Sequence, residues 1–178
     1  MAKDKEIMKN ILREHSGESE LYRRTLLKEY MQILTLDFIY SNNRYKSLVF
    51  YGGACLAHCF GLPRLSEDLD FVDTDGSVDL DSLANDLKIF FKKKTNLPVI
   101  IRRQKFRIEL KFPILRELGQ SGTSETDILI LKIEVFSDFD FCKKYKTEIN
   151  PLFKFNKSIL MKTFDLPTLM STKIRAVL

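Results

Sequence analysis

The chain has 178 residues, which fits one domain with a buried core, and its 44% hydrophobic and 30% charged residues are ordinary for a globular protein. No apolar run approaches the roughly 20 residues of a membrane-spanning helix, and the charged N-terminus MAKDKEIMKN lacks the apolar stretch of a secretion signal, so we expect a cytoplasmic protein without membrane segments. Three cysteines do not make a disulfide framework, and the net charge of +5 favours a polyanionic partner such as a nucleotide or nucleic acid.

The first part of the chain predicts two helices, a strand, a short helix and a second strand. In the second helix, Leu26, Tyr30 and Ile33 are among the apolar residues that recur near i, i+3, i+4 spacing. Gly61 and Pro63 end the short helix. The predicted elements are helices at 6–14 and 21–40, a strand at 46–51, a helix at 54–60 and a strand at 65–72.

The second part predicts one more helix, four strands and a final helix. Asp79 is suited to cap a helix whose apolar residues Leu83, Leu87 and Phe90 lie on one face. Asp165 caps the final helix, from Pro167 onward, because helices tolerate proline early. The predicted strands lie at 98–102, 106–112, 128–136 and 158–163, with a loop at 113–126.

These elements predict an α+β fold, in which helices pack on a mixed β-sheet. They divide the chain into an N-terminal helical segment at 1–45, a core at 46–164 and the start of a C-terminal helical region at 165–178. The helical pattern still continues at Leu178 without a C-cap, so we expect the chain to be a truncated piece of a longer protein.

The stretch YGGACLAHCFGLPRLSEDLDFV, from Tyr51 to Val72, contains the residues that predict chemistry. A strand runs into Gly52 and Gly53 and a helix begins at once, so that free amides at the helix start could meet a phosphate. A glycine pair alone more often marks a tight strand-to-helix turn.

Asp68 and Asp70 alternate with Leu69 and Phe71 in a strand pattern. Because strand side chains point to opposite faces with a period of two, both carboxylates lie on one face and the apolar pair lies on the other, in the core. Neighbouring carboxylates repel unless a cation lies between them, and such hard oxygen ligands suit Mg²⁺ that bridges to substrate phosphates. In isolation, the same pattern could be a solvated strand edge.

A third acid stands in the long predicted strand at 128–136. Leu131, Ile133 and Val135 belong to its apolar face, whereas Lys132 and Glu134 project from the opposite one. Glu134 could therefore complete a site for two metal ions. An edge strand with a polar Lys-Glu face explains the pattern equally well.

The segments GGACL and GLPRLSEDLDF resemble the signature of AbiEii-type nucleotidyltransferase toxins, which belong to the DNA polymerase β-like superfamily. The superfamily pattern is a glycine pair, an Asp-x-Asp and a later acid flanked by apolar residues. The stretch LMSTKIRAVL, from Leu169 to Leu178, resembles the family's helix with a lysine toward the nucleotide. The resemblance covers roughly residues 45–178, and the run from Arg64 to Asp70 is its most specific part.

The resemblance implies a polymerase β-like nucleotidyltransferase fold and a role for each residue of the signature. The implied roles are triphosphate binding by Gly52 and Gly53, further nucleotide contacts by Arg64 and Ser66, binding of Mg²⁺ or Mn²⁺ by the catalytic acids Asp68, Asp70 and Glu134, and neutralisation of phosphate charge by the catalytic, nucleotide-binding Lys173. An arginine just before a strand, such as Arg64, is as often a surface residue.

Two other groups of residues carry weaker signals. Cys55, His58 and Cys59 share one face of the short helix, but a structural zinc site takes four ligands and no fourth is evident, so we expect two reduced, largely buried cysteines that pack the helix onto the sheet. Basic residues alternate with apolar ones around the strand at 106–112. Arg103, Lys105, Arg107 and Lys111 could form a basic face for an RNA backbone together with Lys92 to Lys94, Lys143, Lys144 and Lys146, or they could be a solvated face.

We therefore expect a metal-dependent nucleotidyltransferase that transfers a nucleoside monophosphate from an NTP. The resemblance further implies a toxin of a toxin–antitoxin or phage-defence system, an RNA acceptor such as tRNA, and a protein antitoxin. The alternative is a non-catalytic nucleotide- or RNA-binding module that retains the fold.

Overall fold

The computed structural model describes residues 3–63, 66–120, 127–137 and 140–175, in which helices and strands are interspersed. The α-helices are α1 (Lys3–Glu14), α2 (Glu20–Ser41), α3 (Gly52–Phe60), α4 (Leu80–Phe90) and α5 (Leu166–Arg175), with a π-helical turn at Phe91–Thr95 and a 3-10 turn at Asp140–Lys144. The strands are β1 (Val49–Tyr51), β2 (Asp68–Val72), β3 (Ile100–Arg103), β4 (Arg107–Pro113), β5 (Ile128–Phe136), β6 (Thr147–Lys154) and β7 (Lys157–Phe164). Within the described ranges, every helix is too short or too polar to cross a bilayer.

All seven strands join one sheet in the order β3-β4-β5-β2-β1-β7-β6. The pairs β5–β2 and β1–β7 are parallel, and the other four pairs are antiparallel. The predicted mixed sheet with packed helices is therefore confirmed. Strands β1 and β2 follow each other in the chain through α3, whereas β5 is distant in sequence and meets β2 only in the sheet.

One face of the sheet forms the core against the helices. Leu69 and Phe71 of β2 and Leu131 and Ile133 of β5 are fully buried, as the period of two predicts. Helix α2 packs across β5 and β7 on this side, and its buried residues share one cluster with those of α1 and of the sheet. Burial of apolar surface at about 25 cal/mol per Å² is the main stabilising contribution of such a core.

The predicted helix caps are confirmed. The Asp79 carboxylate accepts a hydrogen bond from the Ser82 amide at 3.0 Å, and the Asp165 carboxylate accepts one from the Thr168 amide at 3.1 Å. Each carboxylate satisfies an amide that has no partner within its own helix.

Strand β6 is absent from the sequence-based prediction. It is an edge strand paired only with β7, and its outward side chains include the exposed Ile149 and Phe153 as well as Pro151. Without a buried apolar alternation, and with a proline inside, the segment lacks the usual signature of a strand. Of the predicted loop at 113–126, residues 121–126 lie outside the described part of the chain.

Candidate functional site

The sheet brings two of the predicted acids together. Strands β2 and β5 are parallel neighbours, and their register pairs Asp68 with Lys132 and Asp70 with Glu134. Residues paired in register point to the same face of a sheet. Asp70 and Glu134 therefore lie side by side on the face opposite Leu69.

The same register continues into the strands on both sides. Tyr51 on β1 pairs with Asp70, and Arg107 on β4 pairs with Glu134. We call this line the acid row. Across β1, β2, β5 and β4 it runs through Tyr51, Asp70, Glu134 and Arg107.

Both aspartates of β2 have raised pKa values. Burial, reinforced by the carboxylates of Glu134 and Asp68, raises the pKa of the Asp70 carboxyl to about 6, although Lys173 and Arg107 act in the opposite direction. Burial also raises the pKa of Asp68, and Lys132 opposes this effect. The two Asp carboxylates are thus partly buried like charges, and their hard oxygen atoms fit Mg²⁺ or Mn²⁺.

The Glu134 carboxylate forms an ion pair with Arg107. The Arg107 Nε donates a hydrogen bond to Glu134 Oε1 at 2.7 Å, and Arg107 Nη2 forms an ion pair with the same oxygen. No three Asp, Glu, His or Cys side chains within the described ranges are grouped closely enough to hold a metal ion. Strand pairing thus places Asp70 beside Glu134, while the Glu134 carboxylate is bound by Arg107.

Gly52 lies against Asp70 at the turn from β1 into α3. Its φ is +77°, and a Cβ at this position would overlap the Asp70 carboxylate and lie 3.0 Å from the Asp70 Cβ. A side chain larger than hydrogen would therefore be strained twice, by the backbone conformation and by the contact. The glycine lets the start of α3 approach the acid row.

Ser66 and Lys173 lie beside the next glycine. A Cβ built on Gly53 would be 3.2 Å from Ser66 Oγ and 4.0 Å from Lys173 Nζ. The N-cap residue of α3, Tyr51, makes no capping hydrogen bond with its side chain, and Gly52 and Gly53 are the first residues of the helix. Amides at a helix start, a hydroxyl and an ammonium together form surroundings suited to a phosphate group.

The structure thus gathers most of the predicted site residues in one region. Arg64 lies outside the described residues. Those brought together are Gly52, Gly53, Ser66, Asp68, Asp70, Glu134 and Lys173.

Tyr51 and Arg107 belong to the acid row but were not among the predicted site residues. Tyr51 directly precedes the glycine pair, which was a usable signal for its place in the site. The sequence pattern places Arg107 only on a basic surface, because its pairing with Glu134 depends on a strand register that the sequence does not reveal.

The predicted basic face around β4 is wrong in one respect. A turn at residues 104–106 separates β3 from β4, so Arg103 and Arg107 belong to different strands. Arg103 pairs in register with the buried Ile108 and forms an ion pair with Asp81 on α4 at 3.2 Å. Arg107 instead lies on the face of the acid row.

The cysteines of α3 are free thiols, with Cys55 buried and Cys59 partly buried. His58, on the same helix, donates through Nε2 to Gln32 Oε1 at 2.9 Å, and Gln32 Nε2 donates to the Ser66 carbonyl at 2.7 Å. Burial lowers the pKa of His58 to about 4, so the ring is neutral at physiological pH. This hydrogen-bonded chain connects α3 and α2 to the segment that enters β2.

Comparison with solved structures shows the fold. MenT4, a nucleotidyltransferase toxin from Mycobacterium tuberculosis H37Rv, superposes with a TM-score of 0.63 at 14% identity, covering 94% of this chain and 57% of that chain. JHP933 from Helicobacter pylori superposes with a TM-score of 0.50 at 16% identity, covering 84% of this chain and 56% of that one. The present chain thus spans less than two thirds of either relative. A comparison with curated protein sequences found no significant match.

The family assignment comes from a sequence profile. The profile described as nucleotidyl transferase AbiEii toxin, type IV TA system, matches residues 39–178. This match covers most of the chain and includes the glycine turn, the acid row and α5. The chain therefore belongs to the AbiEii family of nucleotidyl transferase toxins.

Proposed function

We propose that this chain contains the catalytic core of a metal-dependent nucleotidyltransferase that transfers a nucleoside monophosphate from an NTP to a hydroxyl group. The observation that carries the proposal is the in-register placement of Asp70 beside Glu134, with Gly52 packed against Asp70. Membership of the AbiEii family supports it.

In this reaction the acceptor hydroxyl oxygen attacks the α-phosphorus and forms a new O–P bond. The bond from the α-phosphorus to the oxygen that bridges it to the β-phosphorus breaks, pyrophosphate leaves, and the hydroxyl proton passes to water. Asp68 and Asp70 would hold the Mg²⁺ or Mn²⁺, with Glu134 as a third ligand if Arg107 releases it. The metal would neutralise phosphate charge and stabilise the attacking and leaving oxygens.

Other residues of the chain would bind and orient the triphosphate. The α3 amides at Gly52 and Gly53 and the ammonium of Lys173 offer positive charge on the β1 side of the acid row. The Ser66 hydroxyl adds a hydrogen-bond donor beside Gly53. Arg64 is proposed as a further phosphate contact on the basis of the family signature.

The biological role that we propose is that of a toxin whose acceptor is RNA, including tRNA, and which is controlled by a protein antitoxin. The family description places its members in type IV toxin–antitoxin systems, and MenT4 is described as a nucleotidyltransferase toxin. The net charge of +5 suits an RNA acceptor. We also propose that the protein acts in the cytoplasm, where NTPs and tRNA occur.

Transfer of label from α-labelled NTPs to total cellular RNA tests this function. The test uses the complete natural protein, each of the NTPs in turn, and the variants Asp68→Asn and Asp70→Asn. Transfer should fall by at least about 100-fold in both variants, because loss of one group that neutralises transition-state charge costs on the order of 10²–10³. Asp75→Asn, an exposed turn residue shortly after β2, is the matched control and should keep full activity. Undiminished transfer by Asp70→Asn would refute the assignment.

A second candidate is a non-catalytic module that binds nucleotides or RNA. The ion pair between Arg107 and Glu134 favours it, because a carboxylate neutralised by arginine needs no metal. RNA binding without label transfer, at any divalent metal concentration and in the complete protein, would select this alternative.

A further inference from the structure

Three aromatic rings lie next to one another on the face of the acid row. The rings of Phe106 and Phe136 are stacked, with centroids 5.1 Å apart and planes 27° from parallel. Tyr51 meets Phe136 edge-on, with centroids 6.3 Å apart. Phe106 is 41% exposed. We call Phe106 and Phe136 the aromatic pair.

The exposed ring of the aromatic pair, that of Phe106, lies next to Arg107 of the acid row. Phe106 immediately precedes Arg107, whose guanidinium carbon lies 5.7 Å from the Phe106 ring centroid. Phe136 lies two residues after Glu134 and therefore on the same face of β5. Phe106 thus adjoins Arg107, whereas Phe136 lies between Phe106 and Tyr51 and contacts both rings.

The groups suited to phosphate lie toward the other end. Gly53, Ser66 and Lys173 adjoin the start of α3, which follows β1 directly. In an in-line displacement the leaving pyrophosphate and the attacking hydroxyl are on opposite sides of the α-phosphorus. If the pyrophosphate leaves on the side of α3, the attacking hydroxyl approaches from the side of Glu134 and Arg107.

We propose that the aromatic pair is a stacking surface for the nucleobase of the acceptor nucleotide, the one that carries the attacking hydroxyl. This inference rests on the proposed nucleotidyl transfer and adds the side from which the acceptor binds. Every nucleobase has a π face, so such a surface tolerates different bases and binds single-stranded RNA. The exposed Lys105, in the same turn as Phe106, is positioned to attract the RNA backbone.

Binding of a short single-stranded RNA tests the stacking surface without any catalysis. Fluorescence anisotropy compares the wild-type protein with Phe106→Ala and Phe106→Tyr, using an RNA with an intact 3′-terminal base and the same RNA with an abasic 3′-terminal ribose. Phe106→Ala should weaken binding of the intact RNA by roughly 5- to 100-fold, the loss typical of one stacked base, and Phe106→Tyr should restore it. The abasic RNA should bind wild type and Phe106→Ala equally weakly.

Phe153→Ala is the matched control. Phe153 is another phenylalanine, 75% exposed, on β6 at the far edge of the sheet, so its loss should change neither RNA affinity nor transfer. Because Phe106 is itself partly exposed, thermal melts of Phe106→Ala should stay close to wild type, which separates lost binding from lost folding.

Steady-state transfer kinetics decide which nucleobase stacks. A rise in the KM for RNA with an unchanged KM for NTP supports the acceptor, whereas a rise confined to the KM for NTP overturns the proposal. Equal RNA affinity of wild type and Phe106→Ala, or no effect of removing the terminal base, also overturns it. A further outcome separates the two proposals. If wild type transfers no nucleotide, but Phe106→Ala binds the intact RNA more weakly than wild type does, the stacking surface is supported and the proposed catalytic function is contradicted.

Discussion

Asp70 lies between Asp68 on its own strand and Glu134 on the neighbouring one, and Gly52 packs directly against it. Burial and these two carboxylates make its ionised form unfavourable, which raises its pKa to about 6. Partly buried like charges reduce the stability of the fold, because each carboxylate disfavours ionisation of the other. At the scale of single residues, the acid row therefore has an electrostatic cost that can be measured.

We predict that Asp70→Asn stabilises the metal-free protein at high pH. Since the folded-state pKa of about 6 exceeds the ordinary 3.8, wild type loses stability as the pH rises between these values, and the penalty is complete above the upper one. In urea unfolding with a chelator, the variant should be more stable than wild type by on the order of 2 kcal/mol at about pH 8 and nearly equal at about pH 4. A variant less stable than wild type at the higher pH would contradict this, and Asp75→Asn should show no such difference.

A glycine comparison tests how closely α3 approaches Asp70. Gly52 and Gly61 both have a positive φ, +77° and +67°, but only at Gly52 would a Cβ meet Asp70. Gly61→Ala should cost about 1 kcal/mol of unfolding free energy, from backbone strain alone. Gly52→Ala should cost clearly more, by a further 1 kcal/mol or so, because Asp70 must also shift. Equal losses of unfolding free energy in Gly52→Ala and Gly61→Ala, measured by urea unfolding, would show that Asp70 moves away from the new Cβ without an energetic cost.

At the scale of elements, α3 connects the core to the acid row. Its N-terminus contacts Asp70 through Gly52. Near its C-terminus, His58 donates a hydrogen bond to Gln32 of α2, and Gln32 donates one to the Ser66 carbonyl. Gln32 is almost fully buried, and both ends of its amide are hydrogen-bonded. Loss of one partner would leave a buried polar group unsatisfied, which costs about 1–3 kcal/mol.

We predict a pH-dependent contribution of His58 to stability. Its folded-state pKa of about 4 lies below the ordinary 6.5, so the unfolded chain takes up a proton first as the pH falls, and the stabilisation present above 6.5 is lost toward 4. The stability advantage of wild type over His58→Gln should therefore shrink by on the order of 2 kcal/mol between about pH 7.5 and pH 4.5. The stability contribution of Asp70 changes with pH in the opposite direction. Wild type and His58→Gln are therefore compared at each pH, so that Asp70 contributes equally to both proteins. A constant difference across this range would contradict a buried, neutral His58.

At the scale of the whole molecule, the strands of the sheet differ in how many neighbouring strands and helices cover them. Strands β2 and β5 have partners on both sides and bury one face under α2 and α3, whereas β3 and β6 are edges. Opening a central strand requires breaking two ladders and exposing the core. The acid row spans β1, β2, β5 and β4, and it therefore lies on the part of the sheet that should open least.

Hydrogen exchange measured by mass spectrometry tests this order. Peptides covering β2 and β5 should exchange more slowly than those covering β6, by at least about ten-fold, because amides at an edge can open locally. The β3 peptide, from the opposite edge, is the internal control and should resemble β6. Equal protection of β6 and β5 would show that the molecule opens only globally or that β6 is covered.

Local chemistry in the sequence determined the faces of the strands and the ends of several helices. A period of two is a property of any strand, so Asp68 and Asp70 had to share a face opposite Leu69 wherever β2 was placed. Asp79 and Asp165 cap their helices through contacts only three residues away, which the sequence alone contains. The acids and the glycine turn were recognised from these local patterns and from the family signature.

Only the tertiary structure decided which strands are neighbours. Periodicity places Glu134 on a polar face but does not state that β5 lies beside β2, nor that Arg107 of β4 reaches its carboxylate. The stacking of Phe106 on Phe136 was not predicted for the same reason. Pairing between distant segments depends on the balance of chain entropy and shared burial over the whole sheet, and no local stretch of sequence records that balance.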